Sequence, residues 1–246
     1  MSSVFRFKQF DLIQADDVFK LTTDATLLAV LLDLPSEEGG SRNCLEIGTG
    51  TGVISLMLAQ RFPELRLDCI DISPTACILA SLNVRNSKFK SRIKVSESDF
   101  LTWNSKELYD VIVTNPPYFD QSTVSTKSQE IAIARHQIGL GYFDLITRSS
   151  NMLGEGGLFH MIFPYRYEDY VRSIIKKTEL VISKLIYIVH NEKAKPKNMI
   201  ITAMKISLGS KERSLAEKTM HFKLRKSTGE FSEEYKSALK EFLLAF

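Results

Sequence analysis

Apolar runs with the composition of strands alternate with segments of helical spacing along most of this chain. This alternation is typical of an α/β fold with a parallel, doubly wound sheet. Runs rich in β-branched and apolar residues predict strands at residues 44–48, 66–72, 92–97, 109–114, 157–163, 180–189 and 199–208. Helical spacing predicts helices at residues 27–34, 53–62, 74–86, 140–153, 165–177 and 232–246.

The last two predicted strands are joined only by residues 191–198, which is too short for a crossover helix. These two strands must therefore run antiparallel to each other. We expect a Rossmann-like α/β fold with a seven-stranded, mostly parallel sheet, one antiparallel strand and helices on both faces. Ser73 followed by Pro74 predicts the start of one helix, with the serine as its cap.

Length and composition indicate one ordinary globular unit. The chain has 246 residues, of which 44% are hydrophobic and 25% are charged. No stretch approaches the ~18 consecutive apolar residues of a membrane span, and the first residues lack an apolar signal core. We expect a cytoplasmic monomer with no membrane association, with residues 41–246 as the main domain after a segment of residues 1–40.

The cysteines and the charge distribution narrow the possible partners. Cys44, Cys69 and Cys77 lie in apolar segments without a metal-ligand spacing, so we expect buried thiols and no metal. Residues 180–246 carry 13 Lys and Arg against 7 Asp and Glu. This basic third permits an anionic partner such as nucleic acid, although solvated lysines are the usual explanation.

A glycine-rich turn follows the first strand of the main domain, at Glu46-Ile-Gly48-Thr49-Gly50-Thr-Gly52. Glycines between a strand and a helix let a ligand approach the backbone closely. The third glycine falls one position earlier than in the dinucleotide fingerprint. The carboxylate of Glu46 would repel a pyrophosphate but suits an ammonium or a sulfonium, so the spacing favours S-adenosylmethionine over a nicotinamide dinucleotide.

Acidic residues follow the next two strands. Asp71, with Ile72 beside it, is placed to accept hydrogen bonds from two ribose hydroxyls, while Asp99 and Phe100 are placed for an adenine. A helix cap at Asp71 and a strand end at Asp99 are the simpler alternatives for each residue alone. All these groups, however, fall at the carboxyl ends of parallel strands, where open α/β sheets bind ligands. Together they predict a methyltransferase.

The tetrapeptide Asn115-Pro116-Pro117-Tyr118 follows the strand predicted at residues 109–114. Two prolines fix the backbone and remove two donors, which leaves a stiff elbow with exposed carbonyl oxygens. The Asn115 oxygen and the Pro116 carbonyl could accept both hydrogens of a planar amine, with Tyr118 stacked on the attached ring. Such an elbow suits chemistry on an exocyclic amino group, although a strand-to-loop stop with a surface tyrosine is the simpler explanation.

The glycine turn and the Asn-Pro-Pro-Tyr elbow resemble those of the class I S-adenosylmethionine-dependent amino-methyltransferases. Over nearly its whole length the chain resembles the bacterial tRNA1(Val) (adenine-37-N6)-methyltransferase family. The added similarity lies in Phe7-Lys-Gln-Phe10, in Thr23-Asp24-Ala25 with Leu27-Leu28-Ala29, and in Ala134-Arg135-His136.

This resemblance implies methyl transfer from S-adenosylmethionine to N6 of adenine 37 in a tRNA anticodon loop. Asn115, Pro116 and Tyr118 would be the catalytic set, and Asn115 would also contact the cofactor. Residues 1–40, with Asp24, would cover the cofactor. An N-cap at Thr23-Asp24 is an equal alternative. Arg135 and His136 could contact RNA or hold their loop, and the chemistry needs no base from His136. Lys193, Lys195 and Lys197 could bind phosphates or be solvated.

Other functions remain open for a chain with these motifs. Asn-Pro-Pro-Tyr also occurs in enzymes that methylate a release-factor glutamine and in DNA adenine methyltransferases. The former resemble a chain with a separate helical N-terminal domain, for which 40 residues are too short, and no DNA-recognition region is visible here. A non-catalytic module that binds S-adenosylmethionine or RNA is the alternative outside the enzymes.

Overall fold

A computed structural model describes residues 3–15, 18, 21–35, 41–117, 141–206 and 216–246. The strands are β1 (Ser3–Arg6), β2 (Asp11–Gln14), β3 (Arg42–Ile47), β4 (Leu65–Asp71), β5 (Ile93–Glu97), β6 (Tyr109–Thr114), β7 (Leu153–Pro164), β8 (Leu180–Val189), β9 (Asn198–Lys205) and β10 (Lys218–Lys223). The helices are α1 (Thr23–Leu31), α2 (Val53–Arg61), α3 (Pro74–Arg85), α4 (Tyr142–Met152), α5 (Glu168–Ile175) and α6 (Glu233–Leu239).

The central sheet has eight strands in the order β10-β8-β9-β7-β6-β3-β4-β5. Strand β9 is antiparallel to both of its neighbours, and every other neighbouring pair is parallel. The predicted seven strands with one antiparallel member are therefore confirmed as β3 to β9. The eighth strand, β10, was not predicted. It pairs in parallel with β8 at the edge of the sheet.

The sheet separates two apolar cores because successive strand residues point to opposite faces. Cys44 of β3 packs in the core that also holds α1 and α2, whereas Leu45 packs in the core with α4 and α5. Both residues are fully buried. Strand β3 lies between β4 and β6 inside the sheet, so the turn that follows it lies between the ends of these two strands.

A small β1–β2 hairpin, also absent from the sequence prediction, joins the N-terminal segment to the rest of the molecule. The Lys8 backbone N–H donates to the Phe242 carbonyl over 2.8 Å. On the other side, the Ile13 N–H donates to Oδ1 of the buried Asn83 on α3 over 2.8 Å. The hairpin is thus held by the Phe242 backbone carbonyl near the C-terminal end and by the Asn83 side chain of α3.

Helix ends agree with the sequence in some places and differ in others. Ser73 caps α3, as predicted, by accepting a hydrogen bond from the Ala76 N–H. The predicted helix at residues 165–177 instead starts with a 3-10 turn, Tyr165–Tyr167, before α5. The C-terminal helix is much shorter than residues 232–246 and is limited to Glu233–Leu239. None of the helices in the described ranges is long and apolar enough to cross a membrane.

Candidate active site

The carboxyl ends of β3, β4, β5, β6 and β7 form one edge of the sheet, and the predicted site residues gather there. Ile47 at the end of β3 pairs with Thr114 at the end of β6, and the Thr114 hydroxyl donates to the Ile47 carbonyl over 3.0 Å. Gly48 directly follows β3 and Asn115 directly follows β6, each one position beyond this pair. The sheet register therefore puts the glycine turn beside the Asn-Pro-Pro elbow.

Three glycines shape the turn between β3 and α2. Gly48, Gly50 and Gly52 all have positive φ, at +76°, +54° and +79°, a region that residues with a side chain rarely adopt. A methyl group added at Gly48 or Gly50 would meet no atom within 4 Å, whereas at Gly52 it would meet Ala80 at 3.4 Å. The first two glycines thus face open space, and the third packs against α3.

Glu46 lies beneath this turn with its side chain buried and only 1% exposed. Its Oε2 accepts a 2.8 Å hydrogen bond from the Thr49 hydroxyl and a further one from the Ser55 hydroxyl. Its Oε1 has no hydrogen-bond partner within the part of the chain that the structure describes. Burial raises the pKa of Glu46 to about 7, although the hydrogen bonds from Ser55 and Thr49 oppose the rise.

Asp71 ends β4 and connects two backbone segments. Its Oδ2 accepts from the Gly50 N–H and its Oδ1 from the Ser73 N–H, both over 2.9 Å. Each carboxylate oxygen can accept a second hydrogen bond, so both retain capacity for a ligand hydroxyl. The adjacent Ile72 is 65% exposed, which is unusual for a large apolar side chain next to a buried strand.

Asp99 and Phe100 form a tight turn after β5. Oδ1 of Asp99 accepts from the Leu101 N–H over 2.8 Å, and the Phe100 ring is buried with the core on the α4 side. Arg148 of α4 fixes this turn, because its Nε donates to the Phe100 carbonyl over 2.7 Å. The Arg148 guanidinium also lies 5.7 Å from the centre of the Phe100 ring.

The described part of the elbow consists of a half-buried Asn115, a buried Pro116 and an exposed Pro117. Tyr118, Arg135 and His136, the other predicted residues of this region, lie outside the described residues.

Asp24 lies in the first turn of α1, and the expectation that Thr23-Asp24 caps this helix is wrong. Thr22 is the cap, and its hydroxyl accepts from the Ala25 N–H over 3.2 Å. Asp24 instead accepts a 2.8 Å hydrogen bond from the side-chain Nδ2 of Asn198, the first residue of β9. Asn198 pairs with Pro164 at the end of β7, so this contact holds the start of α1 at the ligand edge.

The loop between β8 and β9 extends from the same edge, because β8 is parallel to β7. Lys193, Lys195 and Lys197 are all exposed there. The Tyr165 N–H donates to the Lys197 carbonyl over 2.9 Å, which fixes the loop to the end of β7.

Several site contacts were not foreseen from the sequence. Ser55 meets Glu46 from α2, and Asn198 meets Asp24 across 174 positions of sequence. Asn83 Nδ2 donates to the carbonyls of both Thr51 and Ile13 over 2.9 Å, so it ties the glycine turn to β2. A polar residue on the apolar face of a predicted helix was the available signal for Asn83.

The described ranges contain no group of three or more residues that could hold a metal. Cys44, Cys69 and Cys77 are free and buried, as predicted, and burial raises the pKa of each thiol.

Solved structures share this architecture. A predicted O-methyltransferase from Agrobacterium tumefaciens superposes with a TM-score of 0.65 at 17% identity, covering 89% of this chain and 96% of that one. A protein from Listeria monocytogenes described as a class I S-adenosylmethionine-dependent methyltransferase superposes with a TM-score of 0.59 at 14% identity, covering 82% and 68%. The fold is that of the class I methyltransferases, which confirms the expected fold class.

Sequence relatives narrow the class to a family. A model described as methyltransferase small domain matches residues 12–191. The tRNA1(Val) (adenine(37)-N6)-methyltransferase of Bacteroides thetaiotaomicron is 34% identical over 242 residues, which are 98% of this chain and 97% of that protein. The protein of the same name from Pedobacter heparinus is 32% identical over 248 residues and 100% of both chains. The chain belongs to this family of tRNA1(Val) (adenine(37)-N6)-methyltransferases, as its motifs indicated.

Proposed function

We propose that this protein transfers a methyl group from S-adenosylmethionine to N6 of adenine 37 in the anticodon loop of tRNA1(Val). The observation that carries this proposal is the pairing of Ile47 with Thr114, beyond which the glycine turn and Asn115 follow side by side. A cofactor held by the first and an amine held by the second would be neighbours. The named relatives, similar over their full length, supply the particular nucleotide.

The residues around the turn fit S-adenosylmethionine. Gly48 and Gly50 leave open space where side chains would stand, so a ligand could lie directly against the backbone. The orphaned Oε1 of Glu46 offers a buried acceptor, and its negative charge would be stabilised by a cation. When bound, S-adenosylmethionine supplies a methyl group made electrophilic by a positively charged sulfur.

Residues at the ends of β4 and β5 would hold the rest of the cofactor. The free acceptor capacity of Asp71 suits two ribose hydroxyls, and the exposed Ile72 next to it offers an apolar contact for the adenine. Asp99 is assigned to the adenine amino group, because only one of its oxygens accepts the Leu101 N–H in the turn. Phe100, whose ring is buried, would form the apolar floor beneath it.

Asn115 and Pro116 would act by positioning the target nitrogen. The Asn115 side-chain oxygen and the Pro116 carbonyl would accept the two N6 hydrogens and turn the nitrogen lone pair toward the methyl group. Holding two reactants in this geometry is a large catalytic contribution by itself. No strong base is required, because the proton can leave once the nitrogen has become positively charged. Tyr118 would stack on the extruded adenine, a contact worth roughly 1–3 kcal/mol.

The start of α1 would cover the cofactor from above the sheet edge, because Asn198 holds Asp24 there. Lys193, Lys195 and Lys197 would contact tRNA phosphates from the same edge, and Arg135 and His136 are further proposed RNA contacts. On this view residues 1–40 serve as a covering segment of the domain formed by residues 41–246.

Incubation of the purified protein with labelled S-adenosylmethionine and separate pools of tRNA, DNA and release factor tests the proposal. Label is expected in tRNA alone. Label in DNA would indicate a DNA adenine methyltransferase, and label in the release factor would indicate a glutamine methyltransferase. Cofactor binding without label in any pool would indicate a non-catalytic module.

A further inference from the structure

We propose that Tyr165, supported by Tyr187 and His221, is a stacking platform for a tRNA nucleotide that flanks adenine 37. This inference rests on the proposed function and adds a base-binding residue to it.

The three side chains form a continuous aromatic row across the end of the sheet. The rings of Tyr165 and Tyr187 have centroids 5.7 Å apart and meet edge to face at 74°. The rings of Tyr187 and His221 are 5.2 Å apart and stacked at 26°. Tyr165 itself is 40% exposed, so it ends the row with a ring that is open to solvent. Such a ring can accept a base on its free face.

Hydrogen bonds hold the row in place. The Tyr187 hydroxyl donates to Oε1 of Glu168 over 2.7 Å, and Arg172 Nε donates to the same oxygen over 2.8 Å. The backbone N–H of Tyr165 is bound to the Lys197 carbonyl. A platform fixed in this way loses little conformational freedom when a base stacks on it.

The position of Tyr165 relates it to the proposed chemistry. It directly follows Pro164, the last residue of β7, and β7 pairs with β6 through Met161 and Thr114. Asn115 begins the elbow on that neighbouring strand, and adjacent strands are about 4.8 Å apart. In this register Ile162 is level with Asn115, so Tyr165 lies on the adjacent chain segment three positions further out from the sheet, where a nucleotide next to the extruded adenine would pass.

The surrounding charge favours RNA over a protein partner. The loop beside Tyr165 exposes Lys193, Lys195 and Lys197 against a single acidic residue, Glu192. Exposed aromatic rings beside a basic track are the usual means of binding single-stranded nucleic acid. An anticodon loop offers both the unpaired bases and the phosphates that this surface would take.

Tyr165→Ala, Tyr165→Phe and Tyr170→Ala test the platform. Tyr170 is a suitable control because it is 52% exposed but packs against Tyr142, outside the row. The dissociation constant of an anticodon stem-loop and the KM for tRNA1(Val) are measured for each variant. Loss of one stacked base should raise both constants about 5- to 150-fold in Tyr165→Ala. Both constants should stay within about twofold of wild type in Tyr165→Phe, which keeps the ring, and in Tyr170→Ala, which changes a residue outside the row.

Wild-type binding by Tyr165→Ala would overturn the platform, as would a loss in Tyr165→Phe equal to that in Tyr165→Ala. Cofactor affinity, measured in parallel, should be unchanged in all three variants. These outcomes can be distinguished from failure of the proposed function itself, in which case the wild-type protein would leave adenine 37 unmethylated.

Discussion

Asn198 donates a hydrogen bond from its side-chain amide to the carboxylate of Asp24 over 2.8 Å, joining the first residue of β9 to the first turn of α1. At the other end of the same helix segment, Lys184 of β8 forms a 2.8 Å ion pair with Asp33. The N-terminal segment is therefore attached to the sheet at both ends of α1, at the carboxyl edge through Asp24 and near the middle of β8 through Asp33. Only the Asp24 attachment lies at the edge that holds the glycine turn.

Asn198→Ala should lower both stability and cofactor affinity. Asn198 is buried, and a hydrogen bond to a charged group contributes about 1.5–3 kcal/mol. If α1 covers the cofactor, the variant should also raise the dissociation constant of S-adenosylmethionine. Chemical unfolding and calorimetric titration measure the two effects.

Asp33→Asn is the matched control because it removes the ion pair at the opposite end of α1. The Asp33 side chain is 52% exposed, so the loss should be about 0–1 kcal/mol, with cofactor affinity unchanged. Equal cofactor affinity in Asn198→Ala and wild type would contradict a covering role for the segment.

Glu46→Gln should change how stability depends on pH. Burial raises the pKa of Glu46 from 4.5 to about 7, so the folded protein binds this proton more tightly than the unfolded chain does. The stabilising contribution is complete below pH 4.5 and is lost as the pH rises through 7. Cys44 and Cys69, its titratable neighbours, stay neutral across this range because burial raises the pKa of both thiols.

Between pH 5 and pH 8 the unfolding free energy of wild type should fall relative to Glu46→Gln by about 2–3 kcal/mol. Chemical unfolding at each pH measures the difference. Saturation with S-adenosylmethionine should reduce the pH dependence in wild type, since a nearby cation favours the charged carboxylate. If, without cofactor, the unfolding free energies of the two proteins changed with pH in the same way, the raised pKa of the buried Glu46 would be refuted.

Gly48→Ala should weaken cofactor binding beyond its effect on the fold. Gly156, at the opposite edge of the sheet, has φ of +75° against +76° for Gly48, and an added methyl group meets no atom within 4 Å at either position. Both alanine variants should therefore lose about 1–2 kcal/mol of stability from the left-handed backbone alone. Only Gly48→Ala should raise the dissociation constant of S-adenosylmethionine. Equal cofactor affinity in both variants would exclude the turn as the binding site.

Asn115→Ala should abolish methylation while S-adenosylmethionine binding survives. The physical reason is the loss of one acceptor that orients the target amine. Turnover with tRNA1(Val) and cofactor affinity are measured in parallel, with Asn151→Ala, an exposed asparagine of α4, as the control. Near-normal turnover in Asn115→Ala would remove Asn115 from the catalytic set.

Replacing Lys193, Lys195 and Lys197 with alanine should flatten the salt dependence of tRNA binding. Each lost phosphate contact lowers the slope by about 0.9, or about 0.7 where the RNA behaves as a single strand. Alanine at Lys90, Lys176 and Lys177 removes the same charge from exposed positions near the opposite edge and should leave the slope nearly unchanged. A slope that is unchanged in the loop variant means that the loop does not contact RNA.

Local patterns in the sequence predicted the parts of the fold that depend on local physics. Strand β8 has the predicted bounds, and Ser73 caps α3 as its position before Pro74 indicated. Strand β10 was missed because Lys-Thr-Met-His-Phe-Lys is too polar for a strand pattern and is held by pairing with β8. Thr22 and Thr23 are equally good caps by composition, and only the backbone geometry distinguishes them.

The positions of the site residues could be predicted from the sequence, but their contacts could not. Motif spacing placed Gly48, Asp71 and Asn115 at one edge because parallel strands share a direction. The partners of these groups could not be predicted, since the Asn198–Asp24 contact depends on tertiary packing across most of the chain. The open ring of Tyr165 likewise depends on how the residue after β7 packs against Tyr187 of β8 across the intervening strand β9.

Mapping of modified nucleotides in tRNA1(Val) from cells with and without this protein tests the proposed function most directly. We expect N6-methyladenosine at position 37 in cells that make the protein, and unmodified adenosine at that position in cells that lack it. The wild-type gene should restore the methyl group, and the Asn115→Ala gene should not. The same level of N6-methyladenosine at position 37 in both kinds of cell would contradict the proposal.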